Sequence, residues 1–202
     1  MDIKQQASEA VEASVFMAAA DTDLKNKALR EIAGSLKASS KQIVDANRRD
    51  LKAAETDGLA GPLLKRLVFD ENKIDVVCAG IESLIGLEDP VGRELAVTEL
   101  DEGLVLHKQS CPIGVIGVIF ESRPDALVQI SSLCLKSGNS VLLKGGSEAA
   151  NTNEVLASVI NNAAVSAGMP RGWLHLLQTR TDVAGMLALD DCIDLIIPRG
   201  SN

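Results

Sequence analysis

The sequence of 202 residues has few aromatic side chains: three Phe, one Trp and no Tyr, which together make up 2% of the chain. Its core must therefore be built from Leu, Ile, Val and Ala, and almost no platform is left on which single-stranded nucleic acid could stack. Acidic residues outnumber basic ones by 28 to 20, which gives a net charge of −8. Because a protein that binds duplex nucleic acid needs a basic face, this balance argues against nucleic acid as a partner. A small anionic ligand is compatible with it, since a few backbone amides and one lysine can hold such a ligand.

Cysteine and histidine are also scarce. The four cysteines form no CxxC pair and no zinc-binding spacing. Cys78, Cys134 and Cys192 stand among apolar residues, so we expect them to be buried, reduced thiols. The two histidines, His107 and His175, fall within predicted strands, where we expect a structural role and no metal site.

Targeting and membrane-spanning patterns are missing as well. The first residues resemble neither a signal peptide nor a transit peptide, and no apolar run approaches the length of a membrane span. With 46% hydrophobic and 24% charged residues, the composition is that of a globular chain, not a disordered one. We therefore expect a cytoplasmic protein with no membrane partner.

The first 92 residues carry apolar side chains at helical spacing, which predicts a helical segment. The first predicted helix buries a stripe of Ile3, Ala7, Val11, Val15 and Ala18, and the second buries Leu24, Ala28, Ile32 and Leu36. Ser39 and Gln42 have the form of a capping box for a third helix, which we expect to end at Gly58. Asp70 can cap a later helix, and Asp89 with the following proline predicts its end.

Beyond residue 92 the periodicity changes to that of strands. Residues 93–111 predict an antiparallel hairpin with a tight turn at Gly103. Four apolar segments then alternate with helical patterns, and strands are predicted at 113–120, 141–144, 173–177 and 193–197. The helix predicted after the second strand is long and begins at Ser147, and the helix predicted after the third strand is short. Such alternation predicts an α/β fold with a parallel sheet and right-handed crossovers.

Open sheets of this class bind ligands at the carboxyl ends of their strands. The predicted ends are residues 121–124, 144–147, 178–180 and 198–201, of which three carry a basic residue and two carry glycine. This pattern indicates an anion-binding rim, although Gly and Arg are also common in solvated loops. There is no GxGxxG after a strand, and no P-loop, HExxH or GxSxG motif.

Several long motifs carry a resemblance to a known family. Residues 111–125 (CPIGVIGVIFESRPD), 137–149 (SGNSVLLKGGSEA), 168–170 (GMP) and 194–201 (DLIIPRGS) resemble gamma-glutamyl phosphate reductase, of the aldehyde dehydrogenase superfamily, as do the helical stretches 47–50 and 63–66. The resemblance covers the whole chain. It implies an aldehyde-dehydrogenase-like fold with three parts: N-terminal helices (1–92) of the cofactor-binding domain, an oligomerisation hairpin (93–111), and an incomplete four-stranded Rossmann-like sheet that binds NADPH (112–202).

The resemblance also implies a reaction. The family reduces L-glutamyl 5-phosphate with NADPH, which gives L-glutamate 5-semialdehyde and phosphate in proline biosynthesis, through a thioester on a cysteine thiolate. None of the four cysteines here matches the nucleophile's motif, which in the family follows the Pro-Arg-Gly-Ser loop, so we expect the nucleophilic cysteine to lie beyond Asn202. The chain then corresponds to roughly the first half of a homo-oligomeric enzyme, with no catalytic residue and no activity alone. The alternative is a non-catalytic nucleotide-binding or interaction fragment.

The resemblance assigns cofactor contacts to five residues. Lys144 matches the lysine that holds the adenosine ribose, followed by Gly146 in the same loop. Ser147 stands where NAD-specific members often have Glu, and a small hydroxyl there leaves room for a 2′-phosphate and can donate to it. Gly200 and Ser201 match the loop beside the pyrophosphate and nicotinamide.

Two further residues are candidates for substrate or oxyanion binding. Ser122 and Arg123 fall where many aldehyde dehydrogenases hold the oxyanion with an asparagine, and the alignment leaves both positions open. Arg123 could bind the acyl phosphate or the substrate, or it could be a surface arginine at a helix start.

Overall fold

The computed structural model describes residues 2–199 and combines a parallel sheet, an antiparallel hairpin and a set of packed helices. The helices are α1 (Ile3–Ala19), α2 (Thr22–Ala38), α3 (Ser40–Thr56), α4 (Gly61–Leu67), α5 (Glu71–Ile85), α6 (Pro124–Lys136), α7 (Ala150–Ala167) and α8 (Arg180–Leu187). The strands are β1 (Glu94–Asp101), β2 (Leu104–Gln109), β3 (Val115–Ile119), β4 (Ser140–Lys144), β5 (Leu174–Leu176) and β6 (Leu195–Pro198). A 3₁₀ turn, Ser147–Ala149, precedes α7. Within residues 2–199, no helix combines the length and apolar character needed to cross a bilayer.

The four-stranded sheet confirms the predicted α/β fold with parallel strands. Its order is β5-β4-β3-β6, and Ile116 of β3 pairs with Val141 on one side and with Leu195 on the other. β3 and β4 are buried on both faces up to their last residue, as their continuous apolar sequence predicts. β6 forms an edge, and its apolar Leu195 and Ile197 remain exposed.

Helices cover both faces of this sheet. Alternate residues of β3 and β4, including Ile116 and Leu143, join the large core formed with α2, α5, α6 and α7. The intervening residues Val115 and Leu142 pack with α1 and α8 in a second core. The alternation of side chains along each strand thus places a hydrophobic layer on either side of the sheet.

The predicted burial of α1 is partly wrong. Its buried residues are Ala7, Ala10, Ala13 and Met17. Val11 lies at the border of exposure, and the side chain of Val15 is 72% exposed. The helix turns its alanine face to the sheet because small side chains let the two backbones approach closely. The stripe predicted for α2 is confirmed at Ala28, Ile32 and Leu36, with Leu24 half-buried.

The ends of the other helices confirm some predicted caps and correct others. Ser39 makes no side-chain cap to α3, because α2 and α3 abut there and its backbone N–H closes α2 instead. Gly58 follows the end of α3 with φ +72, as predicted. The Asp70 carboxylate accepts from the Lys73 amide at the start of α5, which confirms that cap. α5 ends at Ile85, earlier than predicted.

Asp89 has a tertiary role that its sequence position did not predict. Its carboxylate lies 3.0 Å from the Lys25 ammonium, and Lys25 is only 1% exposed. It also accepts hydrogen bonds from the Val91 amide (3.0 Å) and the Thr22 hydroxyl (2.9 Å). Burial raises the pKa of Asp89, but the bonds from Val91, Lys25 and Thr22 outweigh it, so the pKa lies below its ordinary value.

The antiparallel hairpin is confirmed, and both of its faces are exposed. β1 and β2 pair from Glu94 opposite Gln109 to Asp101 opposite Leu104, and Gly103 in the turn has φ +75. Every residue of both strands is exposed to solvent. The exposed apolar side chains are Leu95, Val97, Leu100, Leu104, Val105 and Leu106.

Candidate functional site

Two clefts lie at the carboxyl edge of the parallel sheet. The first, which we call the rim cleft, has a volume of about 360 Å³ and opens between the ends of β4 and β5. It is lined by Lys144, Gly145, Gly146, Ser147, Ala150, Asn151, Asn153, Glu154, Leu176, Leu177, Gln178 and Thr179. Three of the five predicted cofactor residues (Lys144, Gly146 and Ser147) are thus brought together.

Lys144 ends β4 and supplies the positive charge of this cleft. Its side chain is half-buried, and its ammonium donates to the Gly145 carbonyl over 2.5 Å. Ser147 is exposed and begins the 3₁₀ turn, so the long helix starts three residues later than predicted. One loop therefore presents an ammonium and a hydroxyl, three positions apart, to a cleft that Glu154 and Thr179 also line.

The two glycines of this loop leave no room for side chains. A Cβ on Gly145 would lie about 3.0 Å from the Phe120 ring and closer still to the Asn153 amide nitrogen. A Cβ on Gly146 would lie 2.9 Å from the Ser122 backbone nitrogen. The packing thus explains why glycine occupies both positions.

A buried carboxylate on α3 holds the start of α7 and with it the loop. Asp50 is 3% exposed and accepts from the backbone N–H groups of Asn151 (3.1 Å) and Thr152 (2.8 Å). It also accepts from the Asn151 amide (2.7 Å) and the Thr152 hydroxyl (2.6 Å). These bonds satisfy two first-turn amides that have no partner inside the helix, and the charge complements the helix dipole.

Asn47 lies one turn before Asp50 and fixes the end of α4. Its amide nitrogen donates to the Leu67 carbonyl (2.9 Å) and to the Thr152 hydroxyl (3.2 Å). Its oxygen accepts from the Phe69 backbone N–H (2.8 Å). The same face of α3 therefore positions two segments at the sheet edge, α4 and the start of α7.

The second cleft, which we call the arginine cleft, has a volume of about 250 Å³ and lies beyond β3. It is lined by Leu59, Leu63, Arg66, Glu121, Ser122, Arg123, Gly146 and Glu148. Gly146 also lines the rim cleft, so the two clefts meet at that residue. Ser122 and Arg123 were predicted from the sequence, whereas Arg66, which a different segment contributes, was not.

Ser122 and Arg123 are both engaged by neighbouring carboxylates. The Ser122 hydroxyl donates to the carboxylate of Glu148. The Arg123 guanidinium lies 2.8 Å from Asp125 at the start of α6. The hydrogen bond and the charge of Asp125 raise the pKa of Arg123. Arg123 thus lines the cleft and also pairs with a carboxylate at the start of its own helix, and its role in binding stays a prediction.

The remaining predicted site residues lie outside the described part of the chain. These residues are Gly200 and Ser201. Asn202, beyond which the nucleophilic cysteine is expected, also lies outside it, so that expectation stays a prediction. The backbone N–H of Arg199, the last described residue, donates to the Ile119 carbonyl over 2.8 Å. The residues that precede the predicted pyrophosphate loop therefore continue along β3.

The cysteines differ in burial and reactivity. Cys78 and Cys134 are buried as predicted, whereas Cys192 is only half-buried. Burial raises the pKa of Cys78 and raises that of Cys134 to about 12. Burial and the neighbouring Asp191 also raise the pKa of Cys192. A nucleophilic cysteine needs a lowered pKa, so these three thiols do not have the environment of one.

Both histidines have carboxylate neighbours. His107 is exposed on the hairpin, where its Nδ1 lies 2.9 Å from Glu94. His175 in β5 is largely buried, with Nε2 3.6 Å from Glu9, and burial lowers its pKa despite that charge. Neither lines the rim cleft or the arginine cleft.

The chain is similar to reductases of known sequence and structure, although no protein-family model matches it. It is 63% identical over all 202 residues to gamma-glutamyl phosphate reductase from Pelotomaculum thermopropionicum and covers 46% of that protein. It is 48% identical, with the same coverage, to the enzyme of that name from Methanococcoides burtonii. The chain spans about half the length of these relatives.

Solved structures show the same similarity. A crystal structure of gamma-glutamyl phosphate reductase from Thermotoga maritima matches all of the chain with a TM-score of 0.96, at 36% identity and over 49% of that protein. A probable aldehyde dehydrogenase from Listeria monocytogenes matches 96% of the chain, and 40% of its own length, with a TM-score of 0.73 at 14% identity, which shows a shared fold. The predicted resemblance is therefore confirmed: over its whole length, this chain is similar in sequence and in fold to about half of a gamma-glutamyl phosphate reductase.

Proposed function

We propose that this chain is the dinucleotide-binding part of a gamma-glutamyl phosphate reductase, a cytoplasmic oxidoreductase of proline biosynthesis. The complete enzyme would reduce L-glutamyl 5-phosphate to L-glutamate 5-semialdehyde, with release of phosphate and oxidation of NADPH to NADP. The observation that carries the proposal is the rim cleft, which Lys144 and Ser147 both line at a strand end. The similarity to reductases of that name supports it.

The residues of the rim cleft suit an anionic dinucleotide. Its volume of about 360 Å³ is within the usual range of ligand sites, and both Gly145 and Gly146 line it. Lys144 would hold the adenosine ribose, because its ammonium has three N–H donors and only one of them is given to the Gly145 carbonyl. Ser147 would donate to the 2′-phosphate, where a carboxylate would repel it.

NADPH would supply the hydride, and the chain's own residues would bind and orient the reactants. Ser122 and Arg123 are our candidates for holding the acyl phosphate or the developing oxyanion, since both line the arginine cleft that joins the rim cleft at Gly146. The raised pKa values of Cys78, Cys134 and Cys192 support the view that none of these is the nucleophile.

The hairpin supports a homo-oligomeric enzyme. Both of its faces are exposed, and they carry a row of leucines and valines. An isolated two-stranded hairpin is marginal in water, and exposed apolar area of this kind is typical of an interface. We propose that residues 93–111 pack against a second copy of the chain.

The proposal is tested by titrating NADPH against the wild-type chain and the variant Lys144→Ala. A charge-assisted hydrogen bond contributes about 1.5–3 kcal/mol, so the variant should bind roughly tenfold to a hundredfold more weakly. The control is Lys73→Ala, because Lys73 is exposed on α5 and does not line the rim cleft. Equal affinity in wild type and Lys144→Ala would show that the dinucleotide does not use the rim cleft.

A further inference from the structure

One polar residue of the rim cleft carries a hydrogen-bonding atom that the fold does not use. Asn153 lies in the first turn of α7, lines the cleft and is only 2% exposed. Its side-chain oxygen is buried, and no group within residues 2–199 donates a hydrogen bond to it. A buried acceptor without a donor destabilises a fold, so its position in a ligand cleft indicates that the ligand supplies the donor.

The polar side chains around Asn153 have partners in the chain. Asn151 and Thr152 directly precede it, and both donate to the buried Asp50 carboxylate. Asn47 is an asparagine of nearly the same burial, 3% exposed, and its amide makes three hydrogen bonds. These side chains hold the fold together, whereas the oxygen of Asn153 does not.

The other buried side-chain atoms without a partner lie away from the candidate site. In the part of the chain that the structure describes, they belong to Ser140, Asn161, Trp173 and His175. None of these four residues lines the rim cleft or the arginine cleft. Between residues 2 and 199, an unpaired buried acceptor therefore coincides with a candidate ligand site only at Asn153.

We infer that Asn153 is a binding residue for the dinucleotide and accepts a hydrogen bond from a hydroxyl of its adenosine ribose. The inference rests on the proposed function, which places that ribose at Lys144. Asn153 packs against the residue that follows Lys144, since a Cβ on Gly145 would overlap the Asn153 amide nitrogen. In NADPH the 2′ position carries the phosphate, so the hydroxyl available to Asn153 is the 3′-hydroxyl.

The Asn153 amide can reach such a ligand at little cost. The last torsion of an asparagine side chain is broad, and the oxygen has no hydrogen bond to give up when the amide turns towards the cleft. Ser147 would then meet the 2′-phosphate from the loop, and Asn153 would meet the neighbouring 3′-hydroxyl from α7. The two residues together would recognise adjacent positions of one ribose.

Urea unfolding separates a role in binding from a role in packing. Leucine has the same branching as asparagine but no polar atom, so Asn153→Leu should unfold at a urea concentration no lower than the wild type. The control is Asn47→Leu, which leaves buried backbone groups of Leu67 and Phe69 without their partners and should unfold at a clearly lower concentration. Asn153→Ala serves as a second variant that adds no volume beside Gly145.

NADPH titration measures the expected loss of affinity. Asn153→Leu and Asn153→Ala should each bind NADPH about fivefold more weakly than the wild type, which is the effect of one neutral hydrogen bond. The matched control is Asn162→Leu, because Asn162 is exposed on the same helix and lies outside the rim cleft. Its affinity for NADPH should equal that of the wild type.

The ribose contact itself is tested with adenosine 2′-phosphate and its 3′-deoxy form, by following amide chemical shifts of the 202-residue chain. The wild type should bind the 3′-deoxy form about fivefold more weakly, whereas Asn153→Leu should bind the two compounds equally. The inference is overturned if both Asn153 variants bind NADPH as the wild type does, or if both unfold as early as Asn47→Leu. It is also overturned if loss of the 3′-hydroxyl weakens binding by the same factor in the wild type and in Asn153→Leu.

Lys144→Ala separates this inference from the proposed function. If NADPH affinity depends on Lys144 but not on Asn153, the dinucleotide lies in the rim cleft and only the role of Asn153 is wrong. If the wild type does not bind NADPH, or if Lys144→Ala binds it equally well, the proposed function fails and this inference fails with it.

Discussion

Replacing the buried carboxylate of Asp50 by an amide should destabilise the fold and loosen the rim cleft. Asp50 is 3% exposed and accepts four hydrogen bonds from Asn151 and Thr152, with donor–acceptor distances of 2.6–3.1 Å. In Asp50→Asn, one acceptor oxygen becomes an NH₂ group that faces donors. Each oxygen of Asp50 accepts one backbone N–H, so either orientation of the new amide leaves the N–H of Asn151 or of Thr152 without its acceptor.

The magnitude follows from two losses. A buried backbone N–H left without an acceptor costs about 1–3 kcal/mol. Removing the negative charge from the start of α7 costs about 0.3–2 kcal/mol. Together we expect Asp50→Asn to lower the free energy of unfolding by about 3 kcal/mol, a large share of the stability of a domain of this size.

The assay is urea unfolding at neutral pH, followed by circular dichroism. The control is Asp45→Asn on the same helix, because Asp45 is exposed and pairs only with Arg48 one turn away among the bonds described. That surface pair contributes about 0–1 kcal/mol, so the control should unfold at nearly the same urea concentration as the wild type. The reasoning is refuted if Asp50→Asn is as stable as Asp45→Asn, or if its NADPH affinity equals that of the wild type.

Three further outcomes follow from the same structure. Gly146→Ala should lower the midpoint of thermal unfolding, because the loop has no room for a Cβ. Gly34→Ala, which has open space around it in α2, should instead stabilise the fold by about 0.5–1 kcal/mol. A higher midpoint for Gly146→Ala than for Gly34→Ala would contradict the packing. Asp89→Asn should destabilise at neutral pH, and its difference from wild type in urea unfolding should shrink as the pH falls below about 3.8 and through the lower pKa of the folded state. A difference that stays constant down to about pH 2 would contradict that pKa. Iodoacetamide followed by mass spectrometry should label exposed Cys111 quickly and buried Cys134, with its pKa of about 12, hardly at all. Equal labelling rates would show that Cys134 is accessible.

The sheet and the hairpin were predictable because their signals are local. A continuous apolar run such as residues 115–119 fits a strand buried on both faces, and glycines at positive φ mark the hairpin turn and the end of α3. The rim cleft followed from the rule that ligands bind at the carboxyl ends of parallel strands. Lys144 and Ser147 could be predicted as site residues from that rule and from the resemblance to a known family.

The frame behind the cleft was not predictable, since its contacts join distant parts of the chain. Asp50 binds residues about a hundred positions away, and Lys25 pairs with Asp89 across 64 positions. One signal was present: Asn47 and Asp50 continue the buried stripe of α3 that includes Ile43 and Ala54. Polar side chains inside an apolar stripe indicate a buried polar network, because they must find hydrogen-bond partners there.

The prediction of the buried face of α1 was wrong for another reason. Alanine is apolar but small, so hydrophobicity favours Val11 and Val15 over Ala10 and Ala13 as the buried residues. The close approach of α1 to the sheet selects the alanines instead. Arg66 was missed because no strand-end rule covers α4, which is placed at the site by tertiary contacts such as that of Asn47 with Leu67.

The central claim, that the rim cleft holds the 2′-phosphate end of NADPH, is tested most directly by Ser147→Glu. Ser147 is exposed at the cleft, so the new carboxylate would meet the 2′-phosphate at close range, where like charges cost about 1–4 kcal/mol. Calorimetric titrations should show that Ser147→Glu weakens NADPH at least about tenfold more than NADH, and that Ser147→Ala, which loses only the hydroxyl donor, shifts the ratio in the same direction but by less. Equal losses for the two cofactors in Ser147→Glu would show that Ser147 does not face the 2′ position.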